Sequence, residues 1–493
     1  MTTETSIYEY AKQGLKLNLD KIAIWFYGKS ITYRELFEKI DNVADHLYEL
    51  GVREGTVVTI HLPNCPQAIF AIYAVAKLGG ICNMVHSLLP ESALRNNLRF
   101  TGSSYLITHL EINNNSVVGL EAIKLYEKPC VVKAPDKIDQ VNLAAKCAFY
   151  LNSSGSTGKP KTIMLSHSAV NNCVDNTAEF FENNDIAEQV SLGVLPLFHG
   201  FGLAADVHRN IHFGSTLVIM SRWNPSEAAD LIKKYKVTLI VGVPAMFHSL
   251  LNEQTFYGPE IKQLRYCYTG GDNINQDLVV KMNERLGNER CMFPGYGLTE
   301  ATTMNCVSTW SHYKAGTAGY PVNNTTIAVM KSDGTYSNRG IGELIISSPT
   351  LMMGYLNDPE ATKATLFETD DKLWTHTGDE VEIDSDGFIV FRDRIKNIII
   401  HNGYNIYPDE VEEVIRSVPG VKDVCVVGVN DEEKHTQNIR AVVIASANVS
   451  IQMVQNECAR KLPRYSIPKE ILFVDRFPQN SMGKIDRKEL GKI

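Results

Sequence analysis

The sequence predicts an α/β protein: a large N-terminal domain of βαβ-type sheets with a β subdomain, followed by a small α+β C-terminal domain. Helical and strand-like patterns alternate up to about Ala315. From there to residue 393 the chain turns to short strands and tight turns, and residues 394–493 carry helices and strands of their own. Such alternation predicts a mostly parallel sheet covered by helices. We therefore expect domains at 1–393, with the β subdomain at about 315–393, and at 394–493.

The first long helix is marked by its cap and by its apolar face. Thr32 and Glu35 form a capping box in ITYRELFEKIDNVADHLYELG. Gly51 is a typical C-terminal stop. The apolar residues that recur on one helical face between them are Leu36, Ile40, Val43, Leu47 and Leu50. A helix between Thr32 and Gly51 is predicted.

Strand-like and helical segments then alternate. TVVTIHLP, ICNMV and SYLIT read as strands, and QAIFAIYAVAKLGG and ESALRNNLRF as the helices between them. Asn224 and Pro225 open a later helix as cap and first-turn residue. Further strands are predicted at Cys147–Leu151, Ser191–Leu197, Thr216–Met220, Thr238–Val243 and Leu264–Tyr268.

The last third of the chain is patterned differently. GELIISS and VEIDSDGFIVFRDR read as short strands, with a hairpin turn at Ser385–Asp386–Gly387. In the C-terminal domain YPDEVEEVIRSV and QMVQNECARKL read as helices, and VKDVCVVGV and RAVVIAS as strands.

Charge and composition narrow the class of partner. The net charge is −8, which provides no general attraction for nucleic acid or for an anionic membrane. The ten cysteines include no CxxC pair, so we expect reduced thiols and neither a disulfide framework nor a zinc site. Neither a signal peptide nor a run of ~18 apolar residues is evident, and we expect a cytoplasmic protein without a membrane span.

The most specific segment is LNSSGSTGKPK at 151–161, directly after a predicted strand. Hydroxyls, two glycines and two lysines make a loop that can hold phosphates. It is not a Walker A loop, which would need glycine at Ser153 and a hydroxyl residue at Pro160. The alternative is a flexible surface turn, since Gly/Ser clusters usually form one.

This loop resembles the phosphate loop of the adenylate-forming superfamily, which includes acyl-CoA and aryl-CoA ligases, firefly luciferase and the adenylation domains of peptide synthetases. Five more segments match in the same order: LPLFHGFG, YTGGD, YGLTE, HTGD with FRDRIKN, and NSMGKIDR. The resemblance spans nearly the whole chain. One departure is Thr162, where the family usually has glycine.

The resemblance implies a two-step reaction. ATP and a small-molecule carboxylic acid of undetermined chain length give acyl-AMP and pyrophosphate, and the acyl group then passes to a thiol. ATP, Mg²⁺ and coenzyme A are the implied cofactors. The implied catalytic residues are His199, Thr299, Glu300 and Lys484. The implied nucleotide and CoA contacts are Ser153, Ser154, Gly155, Ser156, Thr157, Gly158, Lys161, Gly270, Gly271, Asp272, Tyr296, Gly297, Asp379, Arg394 and Gly403.

By resemblance, each part of ATP has its own residues. Lys161 and the loop hydroxyls hold the β- and γ-phosphates, and Thr299 donates to the α-phosphate. Glu300 helps to hold Mg²⁺, a hard cation that prefers oxygen ligands. Tyr296 stacks on adenine, beside a close backbone approach at Gly270 and Gly271. Asp379 accepts from the ribose hydroxyls; alone, it would read as a solvated strand-end residue.

The C-terminal matches concern movement and the second step. Arg394 lies near ribose or phosphate, and Lys396 is the hinge about which the mobile domain rotates. Lys484 bridges a ribose oxygen and the acyl carboxylate, although a lysine near the C-terminus is usually solvated. Gly403 lies beside pantetheine. Aryl-CoA ligases and luciferase often have lysines near this glycine, whereas this chain has Ile400-His401-Asn402 before it.

The acid pocket is the least defined part. By resemblance it is lined by residues around His199–Gly202, Val243–Phe247, Asp272 and Ala301–Met304. His199 lines or gates the pocket, or is a core or structural histidine. A buried Asp272 would favour a polar or cationic acid; the alternative is that it caps a helix beginning at Asn273–Ile274. Amino acids are disfavoured, because Phe-His-Gly stands where amino-acid-activating relatives have an aspartate.

We therefore interpret the sequence as that of an ATP-dependent acyl-CoA ligase. Two alternatives stay open. One is a ligase that loads acyl groups onto a carrier protein, and the other is a non-catalytic nucleotide-binding homologue. The second is disfavoured because Lys161, Glu300, Asp379, Arg394 and Lys484 are all present.

Overall fold

The computed structural model describes residues 5–15, 18–109, 130–133, 146–153, 161–181, 185–272, 274–401, 404–431, 436–479 and 485–493. They form two compact units. The larger is Met1–Ile327 with Ile346–His376, and the smaller is Ala328–Ile345 with Thr377–Ile493.

The larger unit contains a seven-stranded sheet in the order β19-β8-β7-β4-β3-β5-β6. Strands β3, β4, β5 and β7 are parallel, and β6, β8 and β19 are antiparallel to their neighbours. The bounds are β3 Val57–His61, β4 Ile81–Met84, β5 Tyr105–Thr108, β6 Cys130–Lys133, β7 Cys147–Ser153, β8 Lys161–Ser166 and β19 Gly354–Tyr355. All five residues of β3 are buried, as in a parallel strand covered on both faces.

A nine-stranded sheet in the same unit has the order β15-β14-β13-β12-β11-β9-β10-β1-β2. Its six central strands, from β13 to β1, are parallel. The bounds are β1 Ile22–Phe26, β2 Lys29–Thr32, β9 Val190–Gly193, β10 Thr216–Ile219, β11 Leu239–Gly242, β12 Tyr266–Thr269, β13 Met292–Tyr296, β14 Cys306–Val307 and β15 Tyr320–Pro321.

Ten α-helices are described in the larger unit: α1 Ile7–Gly14, α2 Tyr33–Glu49, α3 Pro66–Lys77, α4 Glu91–Thr101, α5 His167–Asp175, α6 Arg209–Phe213, α7 Pro225–Tyr235, α8 Pro244–Leu251, α9 Gln276–Leu286 and α10 Pro359–Thr365. A π-helix at Phe201–His208 runs into α6. Short 3₁₀ turns lie at Asn176–Phe180, Ile186–Glu188, Pro259–Ile261 and Thr299–Ala301.

The locally encoded helix starts are confirmed. The Thr32 side chain accepts from the Glu35 N–H at 3.2 Å, and Glu35 accepts from the Thr32 N–H at 2.8 Å, which completes the capping box. Asn224 caps α7 by accepting from the Glu227 N–H at 3.0 Å. These caps need only residues three apart in sequence, so the sequence alone predicts them.

The strand predicted at Ser191–Leu197 is too long. Strand β9 ends at Gly193. Beyond it, the backbone bonds no longer to a neighbouring strand but to the side chain of Asn64. Its amide donates to the carbonyls of Val194 and Leu195 at 3.1 and 2.9 Å, and its oxygen accepts from the Leu197 N–H at 3.1 Å. The buried apolar run is therefore a loop with satisfied backbone groups.

Next come β16 Thr326–Met330, β17 Tyr336–Ser337, β18 Gly340–Ser347, β20 Leu366–Thr369, β21 Lys372–Ile383 and β22 Ile389–Arg394. The division between the units falls within β16, β18 and β21. The predicted hairpin at Ser385–Asp386–Gly387 is confirmed, since it joins β21 to β22, whose Ile383 and Ile389 are paired.

The smaller unit has its own apolar core. Strands β25, β26 and β27 form a three-stranded sheet, and β23 and β24 form a two-stranded one. The bounds are β23 Ile399–His401, β24 Tyr404–Ile406, β25 Val421–Asp431, β26 Thr436–Ala445, β27 Glu470–Phe473, α11 Pro408–Arg416, α12 Ile451–Lys461 and α13 Arg487–Leu490. Turns of 3₁₀ type lie at Ile395–Asn397 and Arg464–Ser466. The predicted α+β composition of this region is confirmed.

An ion pair is buried where the π-helix meets α6. Arg209 and Asp206 are almost fully buried, and Arg209 Nη2 lies 3.7 Å from Asp206 Oδ1. Asp206 also accepts from Ser191 at 2.9 Å and from the Asn210 amide at 3.0 Å. Burial raises the pKa of Asp206 to about 6, against the opposing effect of the Arg209 charge. Neither charge can be removed alone without leaving the other buried.

Replacing Arg209 with methionine tests this dependence. We expect Arg209→Met to lower the free energy of unfolding by about 3–5 kcal/mol, because it leaves a buried carboxylate without its counter-ion. Urea unfolding measures the loss. The control is Arg34→Met, which breaks a shorter pair with Asp20 (3.1 Å) that is largely exposed. That change should cost at most about 1 kcal/mol. Equal losses in the two variants would contradict the argument.

Candidate active site

Most of the predicted site residues of the larger unit follow parallel strands at one edge of a sheet. Gly270, Gly271 and Asp272 follow β12, Tyr296 ends β13, and His199 lies in the loop after β9. Strands β9, β11, β12 and β13 are parallel, so their carboxyl ends share this edge. Ligands bind at this edge in open α/β sheets.

The phosphate-loop segment joins two directly paired strand ends. Ser153 ends β7, Lys161 begins β8, and the two are register partners. The predicted contacts at Ser154, Gly155, Ser156, Thr157 and Gly158 lie outside the described residues. Ser153 is described only as the last residue of its strand. The register nevertheless places the backbone of Lys161 directly opposite Ser153.

Lys161 and Glu300 meet through a tyrosine that the sequence did not single out. The Lys161 Nζ lies 4.4 Å from the ring centroid of Tyr355. The Tyr355 hydroxyl donates to Glu300 Oε1 at 2.8 Å. Burial, followed by the charge of Glu300, raises the pKa of Tyr355 well above its usual value, so the phenol stays protonated. A cation, a phenol and a carboxylate thus form one chain of contacts.

The backbone around Glu300 is held in an uncommon conformation. Thr302 and Thr303 have φ of +50° and +76°, a region that costs a β-branched residue roughly 1–2 kcal/mol. Hydrogen bonds compensate for this cost. Thr302 donates its hydroxyl to the Thr350 carbonyl at 2.7 Å, and Cys173 donates to the Thr302 carbonyl at 3.0 Å. The Glu300 carbonyl accepts from the Met352 N–H at 2.8 Å. The carboxylate is therefore carried on a fixed backbone.

Two glycines allow this loop to pack. A Cβ on Gly297 would lie 1.0 Å from the Thr303 carbonyl oxygen, and one on Gly270 would lie 2.7 Å from the Gly295 oxygen. Packing within the protein already requires glycine at both positions. At Gly270 the close neighbour is strand β13, which explains the glycine without a nucleotide.

His199 is exposed, so it is not a core histidine, and the alternative of a structural histidine stays open. Its Nδ1 accepts from the Phe201 N–H at 3.3 Å. A Cβ on neighbouring Gly200 would lie 2.8 Å from Thr303, so the His199 loop contacts the loop that carries Glu300. The ring of Phe198 lies 4.5 Å from that of His86, whose pKa burial lowers.

Asp272 is neither a buried carboxylate nor a helix cap, and its implied contact with the ligand stays a prediction. Its side chain is exposed, so it does not provide a buried carboxylate. It does not cap the following helix either, because α9 begins at Gln276 and Asn275 caps it by accepting from the Asp277 N–H at 2.8 Å. Asn275 is a better cap residue placed directly before the helix, and position 272 is too far upstream.

In the smaller unit, two predicted residues form an ion pair. Asp379 in β21 and Arg394 in β22 are register partners, and Arg394 Nε lies 3.0 Å from Asp379 Oδ1. Asp379 is almost fully buried, so its reading as a solvated residue is wrong. Arg394 is half exposed. The Asp379 N–H donates to the Thr377 hydroxyl at 3.1 Å, which fixes the turn before it.

The ends of the NSMGKIDR segment are anchored in this unit. Gln479 and Ile485 form an isolated bridge, and Arg487 Nη1 lies 3.0 Å from Glu412 Oε1. Burial alone would lower the pKa of Arg487, but the combined charges of neighbouring acidic groups, with Glu412 the largest contributor, outweigh it, and the pKa is raised. Lys484 and Gly403 lie outside the described residues. Lys396 is exposed in the turn Ile395–Asn397.

Sequence reasoning missed Tyr355 and Asn152. Tyr355 stands in the short strand β19, whose two residues leave no periodic pattern to read. Asn152 lies inside the loop segment, where the family resemblance assigns it no role. The feature of the sequence that could have indicated a role for Asn152 is its position directly before Ser153, the first serine of the phosphate loop.

Known proteins match the chain along most of its length. The AMP-binding enzyme family matches residues 11–356, and the AMP-binding enzyme C-terminal domain matches residues 410–484. A feruloyl-CoA synthase of Amycolatopsis sp is 31% identical, covering 94% of each chain. A long-chain-fatty-acid–CoA ligase of Bacillus subtilis is 28% identical, covering 96% of this chain and 91% of its own.

A solved structure matches as well. The o-succinylbenzoate CoA synthetase from Bacillus subtilis, in complex with the acyl-adenylate intermediate, is 27% identical. It has a TM-score of 0.83 and covers 98% of this chain and 97% of its own.

Fold and site together define an AMP-forming acid–thiol ligase of the acyl-CoA synthetase class. The chain belongs to the AMP-binding enzyme family. The family resemblance, the α/β fold class with its large and small domains, and the ligase class predicted from the sequence are confirmed. Among the described helices, none has the length and apolar character needed to cross a membrane.

Adding one methyl group at Gly297 tests the packing of the Glu300 loop. We expect Gly297→Ala to lower the free energy of unfolding by about 3 kcal/mol or more, since the new Cβ overlaps a backbone carbonyl that cannot rotate away. Urea unfolding is the measurement. Gly316→Ala is the control, because Gly316 has a positive φ and no atom near its Cβ position. It should lose only about 1–2 kcal/mol, and a loss at Gly297 no larger than this would sink the steric argument.

Proposed function

We propose that this ligase activates a carboxylic acid as acyl-AMP, releases pyrophosphate and transfers the acyl group to coenzyme A. The observation that carries the proposal is the contact chain Lys161–Tyr355–Glu300 at the end of the β7–β8 pair. Adenylation brings a highly negative triphosphate to the site and develops further negative charge on the leaving pyrophosphate. This arrangement offers a cation and a metal-binding carboxylate joined through one tyrosine.

The residues fit Mg²⁺ that arrives with the nucleotide. Mg²⁺ uses one or two protein carboxylates together with phosphate oxygens and water. Glu300 supplies one carboxylate, oriented by Tyr355. The described residues contain no cluster of three or more metal-ligating side chains, so within them no all-protein cage competes with this arrangement. When bound, the metal would neutralise phosphate charge.

The remaining nucleotide contacts are assigned by family match. Lys161 and the loop hydroxyls bind the β- and γ-phosphates, Thr299 donates to the α-phosphate, and Tyr296 stacks on adenine. Tyr296 is half-buried at the end of β13, and Thr299 opens the 3₁₀ turn that carries Glu300. Both side chains are therefore supported by regular structure.

The C-terminal residues divide between the two steps. Asp379 binds the ribose hydroxyls, and Arg394, its partner, lies beside ribose or phosphate. Lys484 bridges ribose and acyl carboxylate during adenylation. Gly403 serves the pantetheine arm in the second step. Lys396 is the hinge, and we place the functional domain boundary next to it, between residues 393 and 394.

We propose an acid with an apolar chain or ring. Phe198, Phe201, Val243 and Met246 are all partly buried near the sheet edge that carries the site. The lowered pKa of His86 keeps its imidazole, beside Phe198, neutral at neutral pH. Since Asp272 is exposed, no buried carboxylate from that position would select a cationic acid. The long-chain-fatty-acid and feruloyl relatives named above are consistent with this range.

One observation favours a second acceptor, a carrier protein. Ile400 lies three residues before Gly403, near which aryl-CoA ligases and luciferase often have lysines, and it is 57% exposed. An exposed apolar residue offers nothing to the phosphates of the CoA nucleotide. A carrier-bound pantetheine lacks that nucleotide, so its binding would not require a lysine at this place.

We place the enzyme in the cytoplasm. The nine cysteines whose side chains the structure describes are all free and buried. This suits a reducing compartment, where disulfides are rare.

The test is pyrophosphate release from MgATP with short, medium, long-chain and aromatic acids, with and without CoA. We expect release to depend on one class of acid and acyl-CoA to form only when CoA is present. Lys484→Ala is the negative control for adenylation. Release without any acyl-CoA product would point to a carrier-protein acceptor. Absence of both MgATP binding and release would overturn the proposal.

Removing the hydroxyl of Tyr355 tests the contact chain. Tyr355→Phe keeps the ring beside Lys161 and deletes the donor to Glu300, so we expect the Mg²⁺ concentration for half-maximal pyrophosphate release to rise about tenfold. The control is Tyr105→Phe, which deletes a phenol bond to the Leu50 carbonyl (2.7 Å) in the same unit. It should leave the Mg²⁺ dependence unchanged. An equal shift in both variants would contradict a role for Tyr355 at the site.

A further inference from the structure

Beneath the strand ends that bracket residues 154–160 lies a row of polar side chains that the proposed function does not use. Thr162 in β8 donates its hydroxyl to Asn152 Oδ1 in β7 at 2.8 Å. The two residues are register partners, one step from the Ser153–Lys161 pair. The position is also the one where this chain departs from the glycine usual in the family loop.

The row continues across the sheet and into helix α4. Asn152 also accepts from Asn97 Nδ2 at 3.1 Å and donates to the Met84 carbonyl at 3.0 Å. Asn83 Nδ2 donates to Asn97 Oδ1 and to the Thr59 hydroxyl, both at 2.7 Å. Strands β8, β7, β4 and β3 are thus linked through side chains as well as through their backbones. Such satisfied polar networks specify one arrangement.

The backbone of Thr162 also binds the segment that carries Tyr355. Its carbonyl accepts from the Leu356 N–H at 2.8 Å, directly after Tyr355, whose hydroxyl binds Glu300. One residue therefore connects Asn152, the start of β8 at Lys161, and the Tyr355 segment. Thr162 is buried, so its own hydroxyl does not reach bulk solvent.

We propose that the Thr162–Asn152 hydrogen bond is a positioning element for nucleotide binding. It fixes the relative orientation of the two strand ends, and through them the direction of Lys161. The inference rests on the proposed function, which assigns the phosphates of ATP to the segment between β7 and β8. Because the bond joins the two strands that flank the phosphate-loop segment, and no residue assigned to CoA lies on either strand, the effect should fall on ATP and not on CoA.

The test variants differ in one group. Thr162→Val keeps the shape and removes the hydroxyl, and Asn152 Oδ1 keeps its Asn97 donor. Thr162→Ser restores the hydroxyl. The matched control is Thr216→Val, which removes a hydroxyl bond of equal length (2.8 Å) to the Ile22 carbonyl in the other sheet of the same unit.

We expect Thr162→Val to raise the KM for MgATP about fivefold to tenfold, the size of one lost hydrogen bond, and to leave the KM for CoA unchanged. Thr162→Ser should restore the wild-type KM for ATP, and Thr216→Val should change neither constant. Thermal unfolding should be alike in the two valine variants. The inference is overturned if Thr162→Val shifts the KM for MgATP and the KM for CoA together, or if its KM for MgATP stays within twofold of wild type. It is also overturned if Thr162→Ser does not restore the wild-type KM for MgATP.

Two further measurements cover the cases in which Thr162→Val does not fold or the wild type shows no acid-dependent release. If Thr162→Val does not fold, Thr162→Gly removes the hydroxyl without any bulk and must show the same selective loss. If the wild type gives no acid-dependent release, the proposed reaction has failed, and calorimetric titration with MgATP alone still compares wild type with Thr162→Val. Equal ATP affinity in that titration would overturn the positioning inference by itself.

Discussion

Strand β8 is paired on both sides, with β7 on one and with β19 on the other, and the candidate site of the larger unit depends on this double pairing. The β7 register sets Lys161 opposite Ser153. The β19 register sets Tyr355 opposite Ile163, close enough for the Lys161 ammonium to lie over the phenol ring. A slip by one residue in either pair would turn the side chains of that strand to the opposite face. The cation, the phenol and the Glu300 carboxylate would then no longer meet.

The Glu300 side of the site is rigid for a different reason. Its loop includes two threonines with positive φ and a glycine that a carbonyl oxygen almost touches, so few other backbone paths fit the same space. Hydrogen bonds from Cys173 and to Thr350 compensate for the conformational cost. A carboxylate carried on such a backbone needs little reorganisation when a charged ligand arrives, which is the condition for effective electrostatic stabilisation.

Buried charges organise both units, each by itself. In the larger unit Asp206 and Arg209 stabilise the junction of the π-helix and α6, just beyond the His199 loop. In the smaller unit Arg487 lies against Glu412, and Asp379 pairs with Arg394. Such pairs add little net stability compared with apolar packing, but a buried member such as Asp379 or Glu412 depends on its charged partner. They therefore define where the strand and helix ends that carry candidate site residues must lie.

Short-range patterns determined much of this protein from sequence alone. The capping box at Thr32 and Glu35, the Asn224 cap and the β21–β22 turn involve residues a few positions apart, so their free energy is set locally. The ordered motifs likewise identified the family. Only the tertiary structure decided that Asn64 ends β9, that Tyr355 links Lys161 to Glu300, and that Thr162 binds Asn152. The first two depend on chain segments far apart in sequence, and the third on the exact register of two strands, which no local pattern encodes. Asp272 shows the same limit, because its exposure depends on how the chain turns after β12 and not on its own neighbours.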